Sequence, residues 1–588
     1  MTAVASSVRP SSSTRTLTVA YAGGERGHGP LTMGQANMIR CILRDEPVQI
    51  NIHDVWPAPP GTTVDAAIDA LRCLAVRHDA LRTTFPRSPG TTHREQEVAA
   101  EGSFTVTVTD HTDFTGEPAQ YAEQVAQDAR AERFHLDRDF PLRITLLGFD
   151  GALRFVALAA SHAATDGSAL AVLREEWLAL LAGDPLPPVS AFTPLGLAAE
   201  EATPTGRRKS EESLRYWERV LRTGPQAMFA EPRAVGSESV QRRLTLRSLR
   251  GGRALARTAE RTGALPSTVL LSAWCVLVAH RAGQTSCVAA VPTSNRFATR
   301  LARSVTTLSQ DALLFLDVQV PSFDALLRKA WGAGLNAYRH SQFDSLALWE
   351  MIGSVTSERG SHFARDVVFN DISSLSATFA PVVAQRTQAP DLELDWGPEQ
   401  VLPTRLLSFV HTIAPLLHLS LWTDAQLFPS AEAEGFLTGL VQLLEASAEA
   451  DVPLDALTGI TGVRPATRPA GWHRVDGCWV SPSAVADGLA AALGGLPVHV
   501  AAQAADSTDT SAHDPDSRTL TAFIASGDAP LTPAQAHSAL MRTLSGNPGR
   551  LAPQRYVIVQ DPPARTDLTS AWLSRNILME GTGRDRTM

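Results

Sequence analysis

The 588-residue chain has very little lysine, with only Lys209 and Lys329 beside 50 arginines. It has five cysteines, and none stands in a C-x-x-C pair or at another spacing typical of a metal site. We therefore expect reduced thiols in a cytoplasmic protein and no metal centre. No apolar run reaches the roughly 18 residues that a membrane span requires, so no membrane span is expected.

Net positive charge is also lacking, since the formal net charge is −9. A nucleic-acid binder needs a basic face that neutralises phosphates, so the composition argues against a nucleic-acid partner. Hydrophobic residues make up 44% of the chain and charged residues 19%. These proportions are typical of folded proteins and exclude disorder throughout the chain.

Shifts in composition divide the chain into five segments. Residues 1–28 are rich in Ser, Thr and Gly and are predicted to be a disordered leader. Two α/β patterns follow, over residues 29–190 and 191–458. A linker over residues 459–471 then leads to a small α/β pattern over residues 472–588. Repeats of 20–50 residues are not evident.

Four local predictions can be tested against a structure. Residues 64–78 have the apolar spacing of an amphipathic helix. Two apolar strands, 142–148 and 153–160, should form a hairpin around an Asp-Gly turn. Residues 200–208 are predicted to continue a proline-rich linker. Residues 411–422 are predicted to be one strand, in which Pro415 indicates an edge position or a bulge.

The motif with the clearest chemistry is H-x-x-x-D-G, at His162, Asp166 and Gly167, directly after an apolar strand. A neutral imidazole can take a proton from an attacking amine or hydroxyl. An aspartate four residues later can hold the loop through an arginine. The glycine allows a tight backbone, and its N–H can approach a ligand. The motif alone does not exclude a histidine that is merely a satisfied polar residue.

Six ordered segments together carry a more specific signal than this motif alone. They are LTMGQANM (31–38), RHDALRTTF (77–85), FHLDRDFPLRITLL (134–147), SHAATDG (161–167), YWERVL (216–221) and AGQTSCVAAVPTSNR (282–296). In order and spacing they resemble the condensation domains of nonribosomal peptide synthetases, whose histidine motif is HHxxxDG. The resemblance covers residues 30 to 457.

The resemblance implies an α/β fold of two chloramphenicol-acetyltransferase-like lobes in a V-shaped pseudo-dimer. It implies that His162 lies between the lobes, along a tunnel with two mouths. An acyl or aminoacyl thioester on the phosphopantetheine arm of a carrier protein enters one mouth, and a small-molecule or carrier-bound nucleophile enters the other. The product is an amide or an ester, and no bound cofactor is needed. Donor, acceptor and stereochemistry are not specified.

Site residues carry over position by position. His162 and Gly167 are the expected catalytic residues. Asp166 is expected to have a structural role, paired with Arg82 or Arg296, and Arg82 is slightly favoured. Ser161 replaces the first histidine of the family pair, and the more important second histidine is present. Residues 304–315 depart from the family pattern, so acceptor-site residues are not transferred from there.

Residues 472–588 resemble the small C-terminal subdomain of adenylate-forming enzymes. The loop that carries a lysine in that family corresponds to residues 564–573, which contain none. The large adenylation subdomain is absent too, so this module is expected to be folded but unable to activate a carboxylate. Its predicted single core has eight members: Val480, Val485, Leu489, Val498, Leu520, Phe523, Tyr556 and Ile558.

Two other functions stay open at this stage. One is an O-acyltransferase that uses free acyl-CoA, because HxxxDG chemistry serves that wider superfamily. The other is an inactive condensation-like platform that recruits other enzymes. Retention of His162, Asp166 and Gly167 argues against the platform, whereas Ser161 keeps it open. A free-standing condensation enzyme of a natural-product pathway is the main prediction.

Overall fold

The computed structural model describes residues 11–88, 90–231, 240–375, 390–504, 518–527, 530–547 and 549–584. Described residues up to position 183 form a first lobe around a mixed five-stranded sheet of order β1-β6-β7-β8-β3. The strands of the whole first lobe are β1 (Ser11–Tyr21), β2 (Gly27–Pro30), β3 (Ile52–Pro57), β4 (Thr83–Thr84), β5 (Glu95–Val98), β6 (Gly102–Thr112), β7 (Leu142–Phe149) and β8 (Ala152–Ala160). Its helices are α1 (Met33–Arg44), α2 (Pro47–Ile50), α3 (Val64–Arg77), α4 (Pro118–Arg130) and α5 (Gly167–Ala182).

The second lobe is built on a seven-stranded sheet of order β11-β10-β12-β14-β15-β9-β13. Its strands are β9 (Val240–Ser248), β10 (Ser286–Thr293), β11 (Gln310–Asp317), β12 (Val367–Asp371), β13 (Glu393–Val401), β14 (Leu406–Thr412) and β15 (Leu417–Asp424). Its helices are α6 (Pro194–Glu201), α7 (Pro204–Thr223), α8 (Leu249–Thr262), α9 (Pro266–Ala282), α10 (Thr299–Ala302), α11 (Phe323–Arg339), α12 (Ser345–Arg359), α13 (Ser430–Glu449) and α14 (Leu457–Thr461). The helix α9 is the centre of the core, with twelve of its residues buried.

A third module follows, with a four-stranded sheet of order β18-β19-β20-β21. Its strands are β16 (His473–Val475), β17 (Cys478–Val480), β18 (Val498–Ala504), β19 (Arg518–Ala525), β20 (Arg555–Val559) and β21 (Ile577–Gly581), and its helices are α15 (Pro482–Ala492), α16 (Pro533–Met541) and α17 (Thr569–Leu573). It packs on the second lobe: Trp479 Nε1 donates to the carbonyl of Gly283 at 2.8 Å, and Arg359 Nε lies 2.7 Å from Asp476 Oδ2.

The N-terminal prediction of a disordered leader is wrong for residues 11–28. Residues 11–21 form β1, which pairs antiparallel with β6 along its whole length. The Ser and Thr that suggested disorder alternate here with Leu17, Val19 and Tyr21. Val19 and Tyr21 are buried in the first-lobe core, so their burial stabilises an edge strand. Residues 1–10 lie outside the described residues.

The predicted linker over residues 200–208 is wrong, because helices occupy most of it. Thr193 caps α6 and Thr203 caps α7, and each threonine is followed by a proline at the first helical position. Proline is well tolerated there, because its missing N–H has no intrahelical partner at that position. The Thr-Pro pairs that suggested a linker are therefore helix starts.

Residues 411–422 are two strands rather than one. β14 ends at Thr412 and β15 begins at Leu417, so Pro415 lies in the turn between them. The hairpin of β7 and β8 is confirmed, with Asp150 and Gly151 both at positive φ. The helix α3 is also confirmed.

The core of the third module differs from the prediction at two positions. Val498 only packs against the edge of the cluster. Phe523 faces the other side of β19 and packs with Val557 and Trp572 in a separate cluster. Alternate residues of a strand point to opposite faces, so Phe523 cannot share a core with Leu520 or Ile524.

Among the described residues, no single helix is both long and apolar enough to cross a membrane. The pair α8 and α9 meets the criterion together, but the two helices are bent by 106°.

Candidate active site

The strand β8 delivers the H-x-x-x-D-G segment to the junction of the two lobes. After β8 ends at Ala160, the carbonyl of Ser161 accepts from the amides of Ala164 and Thr165, at 3.1 and 3.2 Å. The resulting tight turn leads directly into α5. Asp166 is the N-cap of this helix, since its Oδ1 accepts from the Ala169 amide at 2.9 Å. Gly167 is therefore the first residue of α5.

The imidazole of His162 is oriented by the same turn. Its Nδ1 lies 2.9 Å from the carbonyl oxygen of Thr165. A carbonyl can only accept, so Nδ1 carries the proton and Nε2 holds a lone pair. Among the residues described, none is hydrogen bonded to Nε2. Burial lowers the pKa of His162, although nearby Asp166 opposes this effect. The ring is therefore neutral at pH 7 and can accept a proton at Nε2.

Asp166 connects the two lobes. Its carboxylate is 1% exposed, and its Oδ2 lies 2.8 Å from Arg296 Nη1 and 2.9 Å from the Leu308 amide. Arg296 also donates to the carbonyls of Ser304 and Thr306. Burial alone would raise the pKa of Asp166, but Arg296 and the amide donors hold it below its usual range. The ion pair therefore joins the start of α5 to the loop after β10 of the second lobe.

The preference for Arg82 as the partner of Asp166 is wrong. Arg82 is buried within the first lobe, where it donates to the carbonyls of Ala75 and Glu25 and pairs with Asp79 at 2.6 Å. Asp79 and Arg82 begin and end one short 3₁₀ helix, so this local carboxylate is within reach. Arg82 thus holds the first lobe together and does not reach the H-x-x-x-D-G turn.

Ser161 is buried next to His162 in the sequence. The residue is 3% exposed, and its Oγ has no hydrogen-bond partner among the described residues. Only its backbone has a defined role, in the turn that orients His162. Among the described contacts, the side chain of Ser161 therefore makes no hydrogen bond that orients the imidazole.

The sequence analysis missed a second connection between the lobes. Glu176 in α5 is 4% exposed and accepts from His78 Nε2 at 2.6 Å and from Arg77 Nε at 2.9 Å. Arg303 of the second lobe pairs with the neighbouring Glu175 at 2.8 Å and lies 3.4 Å from Glu176. Burial would raise the pKa of Glu176, but His78 and Arg77 lower it to about 2. The detectable signal was the Arg174-Glu175-Glu176 run in the middle of a largely apolar helix.

A metal ion has no candidate site among the residues that the structure describes. No group of three or more His, Cys, Asp or Glu side chains lies close enough together to hold one. His162 has a carbonyl and an aspartate as its polar surroundings, which suits proton transfer more than ligation.

Comparison with known proteins finds a family match over part of the chain. Residues 42–307 match the family model of the condensation domain. The matched region contains the whole H-x-x-x-D-G turn and Arg296, and therefore both members of the ion pair between the lobes. The predicted resemblance to condensation domains over residues 30–457 is thus confirmed for residues 42–307, whereas the likeness of the third module to an adenylation subdomain stays a prediction.

Two curated relatives are large synthetases. The phosphinothricin tripeptide synthetase PhsC of Streptomyces viridochromogenes is 30% identical over 250 residues, which are 40% of this chain and 22% of that protein. The hybrid PKS-NRPS synthetase buaA of Petromyces alliaceus is 28% identical over 182 residues, 30% of this chain and 4% of that protein. The chain therefore spans a small part of the curated relatives that it matches.

Solved structures confirm the fold. The SgcC5 protein of Streptomyces globisporus is 20% identical with a TM-score of 0.55, covering 72% of this chain and 100% of that one. The first condensation domain of the calcium-dependent antibiotic synthetase is 18% identical with a TM-score of 0.55, covering 73% and 98%. The X-domain of teicoplanin biosynthesis is 18% identical with a TM-score of 0.56, covering 71% and 95%. The predicted α/β class with two pseudo-dimer lobes is thus confirmed.

Proposed function

We propose that the chain is a condensation enzyme of natural-product biosynthesis that joins a carrier-bound acyl or aminoacyl thioester to an amine or hydroxyl. The observation that carries this proposal is the state of His162. Its Nδ1 donates to the carbonyl of Thr165, its Nε2 has no hydrogen-bond partner in the described part of the chain, and burial lowers its pKa. A neutral imidazole with a free Nε2 is the form that accepts a proton at pH 7.

The reaction needs little beyond orientation and one proton transfer. The nucleophile's lone pair forms a bond to the thioester carbonyl carbon, and its proton passes to Nε2 of His162. When the intermediate collapses, the C–S bond breaks and the proton passes from Nε2 to the leaving thiolate. Orientation of two bound reactants can supply roughly 7–11 kcal/mol in the best cases, whereas general base catalysis adds about 10²–10⁴-fold.

Asp166 and Arg296 have a positioning role in this proposal. Both charges are neutralised by each other and by backbone groups, so neither is free to exchange a proton. Their pair holds the start of α5, and with it the turn that carries His162, against the second lobe. Gly167 contributes the first amide of α5, at the helix end where backbone N–H groups lack intrahelical acceptors.

We expect the thioester to arrive on the phosphopantetheine arm of an acyl or peptidyl carrier protein in the cytoplasm. The tunnel implied for this arm stays a prediction. The competing reaction differs only in the group that carries the acyl donor, which is coenzyme A instead of the carrier arm. The platform alternative rests on Ser161 alone, and the described geometry does not use the Ser161 side chain.

The test is product formation measured by mass spectrometry. Carrier-bound acyl thioesters and the matching acyl-CoA esters are offered with a panel of amines and alcohols. The proposal predicts amide or ester product from the carrier-bound donor, and loss of that product in His162→Ala. A matched control is His135→Ala, because His135 is an exposed histidine of the same lobe. Product from acyl-CoA alone would favour the O-acyltransferase, and no product with any donor would favour the platform.

A further inference from the structure

The first turn of the helix α1 is held by the second lobe as well as by its own lobe. Thr32 caps the helix, since its Oγ1 accepts from the Gln35 amide at 3.1 Å. The amide of Met33 donates to Oε2 of Glu201, the last residue of α6, at 2.8 Å. The motif LTMGQANM, which contains this turn, therefore lies at the junction of the two lobes.

Gly34, the second residue of α1, is buried and has no room for a side chain. A Cβ there would overlap the carbonyl oxygen of Thr307 and lie 3.1 Å from the Cα of Leu308, whereas ordinary Cβ contacts begin at 3.4 Å. The obstacle is backbone of the opposite lobe, which cannot rotate aside as the end of a side chain can. Glycine is the residue that lets two backbones approach this closely.

Thr307 lies in the loop of residues 303–309, between α10 and β11, and this loop encloses the ion pair between the lobes. The residue before it, Thr306, accepts through its carbonyl from Arg296 at 3.1 Å. The residue after it, Leu308, donates its amide to Asp166 at 2.9 Å. A shift of the Thr307 backbone therefore moves an acceptor of Arg296 and a donor to Asp166 together.

The helix α1 also packs on the turn that carries the histidine. One buried cluster contains Ile39 and Ile42 of α1 together with Ala163. Ala163 directly follows His162 in the chain. The same helix therefore contacts the histidine turn of the first lobe and, at Gly34, the loop 303–309 of the second lobe.

Gly27 in β2 provides a contrast at the same junction. A Cβ on Gly27 would overlap the end of the Leu195 side chain in α6. A leucine side chain can adopt another rotamer, so a methyl group there does not require the lobes to move. At Gly34 the neighbouring atoms are backbone that is held by Arg296 and Asp166, so either α1 or the loop must shift.

We propose that Gly34 is a positioning residue for the reaction at His162. The lack of a side chain lets α1 pack directly against the loop 303–309, and this packing sets the distance between the histidine turn and the second lobe. The inference rests on the proposed function. Gly34 acts through the position of the imidazole, and a misplacement on the order of 1 Å can cost about 10²-fold in rate.

The first test is the kinetics of Gly34→Ala, with rates expressed per folded protein. Both kcat and kcat/KM should fall by about 10²-fold, with little change in KM for the carrier-bound donor, because the imidazole is misplaced for the transfer step alone. Two matched controls add the same methyl group and should keep the wild-type kcat. Gly27→Ala meets the Leu195 side chain, and Gly353→Ala in α12 has no atom within 4 Å of the new Cβ.

A double-mutant cycle separates positioning from general damage to the fold. In the His162→Ala background, Gly34→Ala should have little further effect on kcat, because the imidazole that it displaces is gone. Damage to the fold would instead lower the rate by the same factor with and without His162.

A second readout needs no turnover. The ring signals of His162 in NMR spectra are assigned by their absence from His162→Ala. They should shift in Gly34→Ala and stay unchanged in Gly353→Ala. If the wild-type protein has no transferase activity, the proposed function fails, and this shift still decides whether Gly34 positions the ring.

Three results would overturn the inference. They are a wild-type kcat in folded Gly34→Ala, an equal loss of rate with and without His162, and unchanged His162 ring signals in Gly34→Ala. If Gly34→Ala does not fold, Glu201→Ala takes its place, since it removes the other contact of the same turn with the second lobe. Glu201→Ala should then lower kcat and shift the His162 signals, and no change in either would overturn the inference.

Discussion

Two groups of buried charges in this molecule have opposite arrangements. At the lobe junction, both carboxylate oxygens of Asp166 accept hydrogen bonds, and Arg296 donates through both of its Nη groups. In the sheet of the second lobe, Arg243 has no ion-pair partner among the described residues, and Arg247 lies 3.7 Å from Glu393. Burying an ion without a partner costs several kcal/mol, so a paired ion can hold two elements together.

The largest expected effect is from breaking the paired group. Asp166→Ala leaves Arg296 buried without its counter-ion, which should cost about 3–5 kcal/mol of the free energy of unfolding. We expect a lower melting temperature and almost complete loss of product, because the turn of His162 loses its anchor. Thermal melting and product formation are measured on the same preparation.

A double-mutant cycle checks the partner of Asp166. Arg296→Ala should show strong coupling to Asp166→Ala, and Arg82→Ala should be nearly additive with it. A variant of Asp166 that keeps the wild-type melting temperature but loses activity would contradict the positioning role. It would mean that the carboxylate takes part in the chemistry.

The next effect is on rate alone. His162→Ala should lower the rate about 10²–10⁴-fold without lowering the melting temperature, since the ring makes a single hydrogen bond to its own turn. Single-turnover product formation measures it, and His135→Ala serves as the control. Full activity in a folded His162→Ala protein would remove the catalytic role and favour the platform.

The pH dependence gives a smaller and more specific effect. The pKa of His162 in the folded protein is below the ordinary value of 6.5. Its neutral form therefore persists at pH 6.5, and the rate should fall only below that value, as the imidazole becomes protonated. A rate profile between pH 5 and pH 8 measures this. Half-loss of the rate above pH 6.5 in the wild type would contradict the neutral, buried imidazole.

The sequence predicted the geometry of local features better than that of distant contacts. The turn between β7 and β8, the helix α3 and the H-x-x-x-D-G turn follow from residues that lie close together in the chain. The partner of Asp166 depends on a contact between positions 130 residues apart. Arg82 and Arg296 both lie in family motifs and Arg82 is slightly favoured by the sequence, so only the packing of the two lobes decides between them.

Two further failures have the same cause. Without the fold, the Thr-Pro pairs at positions 193 and 203 are typical of a linker. In the structure, each pair begins a helix that packs on the lobes. The stacked rings of His411 and His418 could not be predicted, because the two residues come from different strands.

The contact between the third module and the second lobe is a third arrangement, in which charges are paired but partly exposed. Asp476 accepts from Arg359, and its carboxylate is 40% exposed. A pair of this kind is worth on the order of 1 kcal/mol or less. Asp476→Ala should therefore loosen the module slightly and leave the rate at His162 unchanged. The control is Asp567→Ala, which breaks an exposed pair with Arg565 inside the module.

The smallest expected effect is from removing the module altogether. The cut belongs after Gly471, because Val463 is buried in the second-lobe core and Ala466 donates to the carbonyl of Arg281. The truncated chain should keep its transferase activity, since both lobes and the Asp166–Arg296 pair remain.

The intact chain should show no ATP–pyrophosphate exchange with any carboxylic acid, because adenylation needs a cation beside the phosphates and residues 564–573 contain no lysine. Exchange above background, or loss of transfer on truncation, would give the module a chemical role.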